Sequence, residues 1–214
     1  MPFLEDSAAP PSAPHEFHAS LGDEDKTPQA AQAATVSRPP AEEQIARAIQ
    51  YVGAYLCQHR DYYFPVALPL SNQHKASMGP YFSAVLLDRV RIVELKGQRV
   101  SSPWFYAEAR ALGFDHLPEP THMDSVTYLD VVVFNEMLTG RSLFHGLVHA
   151  VQFDVLGVER YTERFVQQFM RTKNHFTVPL EAQAFALTSR FLRPFPENFS
   201  VEDQVLRCAA DGLY

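Results

Sequence analysis

Residues 126–157 read VTYLDVVVFNEMLTGRSLFHGLVHAVQFDVLG. Two periodicities meet here. The first part, 126–135, is rich in β-branched and aromatic residues and predicts a strand. Its three consecutive valines and Phe134 predict burial on both faces. The second part, 143–156, is apolar at helical spacing until Gly157, which ends it. A buried strand leading into an apolar helix defines the core, and the rest of the chain is read outward from it.

Upstream, Pro39 and Pro40 lead into a helix with Glu42 and Glu43 in its first turn, where acids suit the helix dipole. Ile45, Ile49, Val52 and Leu56 form an apolar stripe expected in the core. Residues 61–79 read as loop. Pro80 opens a short helix over 81–87. VRIVEL (90–95) predicts a strand before Lys96-Gly97. Ser102-Pro103 starts a helix that Gly113 closes. Downstream, 158–172 predicts a helix, Pro179 opens another to about 192, and Ser200 to Asp203 forms a capping box for a last helix ending near Gly212. The sum is mostly helical with a small sheet, an α+β class.

Composition narrows the function classes. The chain has 214 residues, with 18 Lys+Arg against 25 Asp+Glu and a net charge of −7. That balance argues against a protein that grips nucleic-acid phosphates. No run approaches the roughly 18 apolar residues of a membrane span. Residues 1–12, MPFLEDSAAPPS, have no basic region and no apolar stretch, so no ordinary signal peptide is expected. Seven of the 16 prolines fall within 1–40, a composition that predicts a disordered acidic tail preceding one domain over 41–214. Cys57 and Cys208 are too few for a disulfide framework, and read as buried thiols of a cytoplasmic protein.

One group of residues points to chemistry. His145 and His149 are four apart and share a helix face. Gln152 lies on the same face, whereas Asp154 points away. Two histidines on an apolar helix need partners for their ring nitrogens, and a metal supplies one for each. Zinc sites of the His₂Glu type add a carboxylate from a later helix. Glu181, just after Pro179, stands 32 residues past His149. The plainer reading of Glu181 is a solvated first-turn acid, and of Gln152 a core amide.

The block LFHGLVHAVQFDVLGVERYTERF (143–165), followed by VPLEAQAFALTSRF (178–191), resembles a widespread bacterial family of small zinc-dependent metallopeptidase-like proteins. Its usual pattern is H-E-L-V-H-x-V-Q with a downstream P-L-E-x-x-A. The likeness extends upstream through PYFSAVLLDRVRIVEL, PWFYAEARALGF, THMDS and VVVFN, covering roughly residues 75–210. It implies a zincin-like fold, with a small sheet beside the helix that carries both histidines. It also implies Zn²⁺ held by His145, His149 and Glu181, and a peptide or protein substrate. Gln152 would support a histidine from behind.

The chain departs from this pattern at Gly146, where the family has Glu. That Glu takes a proton from the attacking water and passes it to the leaving amine. Glycine can do neither, and such assistance is typically worth ~10²–10⁴-fold. Hydrolysis is therefore expected to be weak or lost, and Gly146→Glu to raise it. The alternative is a non-catalytic binding module with a structural metal or none. Close packing of Gly146 against a neighbour is the structural reading of that position. Glu108, Glu136, His122 and His175 are candidates for a replacement base, with His122, Glu136 and His175 placed around the cleft. Tyr128 and Tyr161 are candidate donors to a developing oxyanion.

Overall fold

The computed structural model describes residues 42–111, 114, 116–195 and 197–214. The acidic segment 1–40 and Gly113 lie outside the described residues. Val131–Phe134 is the most deeply buried strand, with all four residues at 0 % exposure. This β4 pairs in parallel with β2 (Arg91–Glu94) and antiparallel with β3 (Ser125–Tyr128). A two-residue strand, β1 (Leu68–Pro69), adds antiparallel to β2. The resulting mixed sheet has the order β1-β2-β4-β3.

The expected single strand over 126–135 is thus a hairpin. Leu129 and Asp130 form its turn, with Leu129 in the left-handed region at φ 58°. Asp130 is the one polar residue that marks this reversal in the sequence; β4 is buried throughout, whereas β3 is half-buried at Ser125 and Val126. The turn is secured from outside. Arg60 donates to both carboxylate oxygens of Asp130, at 2.8 and 3.1 Å, a bidentate pair.

Arg60 belongs to α1 (Glu42–Tyr63). Only Leu56 of the predicted α1 stripe is fully buried, together with Tyr55 and Tyr63. Ile45, Ile49 and Val52 are half-buried, because the N-terminal half of α1 walls a cavity through Ala48, Tyr51 and Val52 instead of packing flat on the sheet. The segment read as loop contains α2 (Asn72–Met78), which Ser71 caps by accepting from the His74 N–H. Its sequence, NQHKASM, lacks an apolar stripe, so the cap was its main signal. The next helix, α3 (Ala84–Arg89), starts later than Pro80 implies because Ser83 caps it, while Tyr81 and Phe82 enter the core. A short α4 spans Tyr106–Ala111. Cys57 and Cys208 are free and half-buried, not core thiols.

The element that organises the site is α5 (Gly140–Thr172). Thr139 and Ser142 form a reciprocal capping box at its start. Gly157, at φ 72° and ψ 162°, breaks it into two helical segments, as its position after the apolar run predicts. Then come α6 (Pro179–Phe191), with Pro179 in its first turn, and α7 (Val201–Ala210), capped by Ser200. The described residues are mostly helical with one small sheet, an α+β arrangement, and belong to the compact unit Ser37–Tyr214. None of their helices is long and apolar enough to cross a membrane.

Candidate metal centre

The first segment of α5 lies against the β3–β4 hairpin. Thr127 and Val132 are cross-strand partners and share one face of the sheet. Thr127 Oγ1 donates to the Gly146 carbonyl at 3.2 Å. A Cβ on Gly146 would stand 2.6 Å from Val132 Cγ1 and 3.3 Å from Thr127 Oγ1. Helix and sheet are therefore closer here than any side chain at 146 permits. This contact fixes the rotation of α5 and turns His145 and His149 toward α6.

Glu181, in the first turn of α6, meets them. His149 and Glu181 are 7 % and 6 % exposed, so Glu181 is not a solvated acid. The two Nε2 atoms are 3.1 Å apart. Glu181 Oε2 lies 3.6 Å from His145 Nε2 and 3.4 Å from His149 Nε2. Ligands held about 2.0–2.1 Å from a tetrahedral zinc stand about 3.3–3.4 Å from one another. The three atoms therefore already have the mutual spacing of three corners of such a site, and the group could hold a metal ion.

Each ring is tied from behind. Gln152 Nε2 donates to the Leu180 carbonyl and to Gln183 Oε1, both at 2.9 Å. Its Oε1 is thereby left to accept from His149 Nδ1–H, also at 2.9 Å. Thr188 donates to the Ala184 carbonyl at 2.7 Å and accepts from His145 Nδ1–H at 3.3 Å. Both rings are thus held through Nδ1, which turns each Nε2 toward Glu181 and leaves it for a ligand when it carries no proton. Tyr161 OH lies 3.4 Å from His149 Nδ1. His175 Nε2 faces the other carboxylate oxygen of Glu181, Oε1, at 3.5 Å.

Glu181 is held ionised here, and of the three histidines around it only His149 is drawn toward the protonated form. Burial works to raise the Glu181 pKa, but the charge of His149 and hydrogen bonds from both histidines hold its carboxyl far below the usual range. Burial opposes protonation of His149, yet Glu181 raises its pKa above 6.5. Burial lowers the pKa of His145 and of His175, with Glu181 acting against it in each case. Burial also raises the Tyr161 pKa well above the ordinary phenol, and Glu181 adds to the shift.

The triad opens on a cavity of about 800 Å³. His122 and Glu108 line it as exposed side chains, and Glu108 pairs with Arg47 at 3.4 Å. Glu136 is bound to Arg99 and is not among the lining residues. Tyr128 is buried elsewhere, its hydroxyl 3.0 Å from that of Tyr55. Asp154 pairs with Arg89 on the face away from the histidines. Sequence reading missed Thr188 and Gln183. Thr188 lies seven residues past Glu181, hence on the same helix face, and that spacing was the available signal. Comparison with family models, curated proteins and solved structures finds no match to the chain.

Proposed function

We propose that this chain is a zinc-binding protein of the metallopeptidase-like kind, in which hydrolysis of peptides or other amides is slow or lost. The supporting observation is the triad spacing of 3.1, 3.4 and 3.6 Å, with both histidines oriented through Nδ1. Two histidines and one carboxylate are a donor set typical of catalytic zinc, whereas structural sites usually have four protein ligands. When bound, zinc would lower the pKa of a water and polarise a carbonyl.

The chain's own residues supply the rest. Gln152 and Thr188 orient the imidazoles, and Glu181 balances charge. The outer strand β3 places residues 125–127 on the cavity wall, where an extended substrate segment could lie. No acid stands at 146 to move a proton, and the nearby His175 is engaged with Glu181 through Nε2. The tight fit of Gly146 on Val132 favours a non-catalytic role for the retained metal as the second reading.

Elemental analysis of the full chain beside His149→Ala tests the metal reading. Near-stoichiometric zinc in the parent and little in the variant is the expected result. No zinc in either after incubation with the ion would overturn it. On a broad peptide panel, turnover matching enzymes with an intact H-E-x-x-H would overturn slow hydrolysis.

A further inference from the structure

The cavity is much larger than an ion requires. At about 800 Å³ it falls within the range of pockets that enclose a small molecule. The triad supplies its polar end. From Tyr161, beside His149, the wall continues along the second segment of α5 through Phe165 and Phe169, one ring per helical turn. Successive rings are 6.3 Å apart between centroids and tilted by only 8° and 2°. These turns cover about 12 Å of helix axis. Tyr51, Val52 and Leu56 of α1 also line the space. Arg47, Glu108, Asp124, Arg141 and Lys173 line it as exposed side chains, and Glu119 is half-buried against Arg110.

We infer that the ligand of this site is an amphiphile whose unbranched acyl chain lies along Tyr161, Phe165 and Phe169, with its carboxylate or carbonyl head at the His145–His149–Glu181 cluster. This rests on the metal centre proposed above. A row of parallel rings offers continuous apolar contact to a methylene chain. A peptide backbone laid along the same row would bury N–H and C=O groups without partners, which is costly. The polar end and the apolar length together select a head and a tail.

The test uses the zinc-loaded full chain and straight-chain hydroxamic acids from two to twelve carbons, titrated calorimetrically. Affinity should tighten about two- to fourfold per added methylene until the cavity is filled. Phe165→Gln should flatten that dependence at unchanged zinc stoichiometry. Should that variant fail to fold, Phe165→Leu should keep part of the dependence. Full zinc uptake with equal affinity across the series overturns the acyl-chain ligand and leaves the metal centre standing. Preference for hydroxamates of blocked apolar dipeptides, without chain-length dependence, does the same in favour of a peptide. No zinc uptake overturns both.

Discussion

Gly146 and Val132 compete for a space that holds one side chain. Val132 is fully buried and β-branched, so it cannot swing away from a Cβ at 2.6 Å. Gly146→Glu should therefore destabilise the fold by roughly 1–3 kcal/mol or more through overpacking, and alone it should not raise hydrolysis. Thermal denaturation of Gly146→Glu with and without Val132→Ala checks this: the second substitution should recover much of the loss. Peptide hydrolysis by the double variant is then the fair test of whether a cleft persists. At Gln152 the expectation differs. Gln152→Leu removes the acceptor that orients His149, and should weaken zinc binding about 10–100-fold. Competition with a chelating dye reads that change directly.

The pairing of α5 with α6 sets the pH response. Because Glu181 raises the His149 pKa, a proton competes with a metal at His149 from above the ordinary 6.5 downward. Zinc affinity should fall about tenfold per pH unit below the raised value and level off above it. Affinity titrations between pH 5.5 and 8.5 check it, and a flat profile would contradict it. In the metal-free chain, the raised value makes the His149 contribution to stability complete below its unfolded pKa near 6.5. That contribution is lost as pH rises through the folded value. The depressed Glu181 value acts oppositely: its contribution is complete above the unfolded value near 4.5 and is lost as pH falls through the folded one. The break in α5 rests on a backbone conformation that L side chains rarely adopt. Gly157→Ala should cost about 1–3 kcal/mol in a melting experiment, although its Cβ would meet nothing closer than 3.6 Å.

For the whole molecule, a metal bound only to the folded state adds stability by mass action. Free zinc at a hundred times its Kd should add about 2.7 kcal/mol. Chelation should therefore lower the Tm of the parent and leave that of His149→Ala unchanged. Differential scanning calorimetry distinguishes the two outcomes.

Local pattern was enough for the helices around the site. The apolar run of α5, its interruption at Gly157, Pro179 opening α6 and Ser200 capping α7 are all written in residues within one or two turns of one another. The i, i+4 spacing likewise put His145, His149 and Gln152 on one face before any fold was known. Other features depend on neighbours distant in the chain. The reversal at Leu129 is marked in the sequence by Asp130 alone, and the clamp on that residue, Arg60, is 70 residues away. The partnership of Glu181 with both histidines, the support from Thr188, the position of His175 and the closeness of Gly146 to Val132 arise only where α5 is held between the sheet and α6. Periodicity records which face of an element is apolar, whereas only packing determines which two faces meet and how closely.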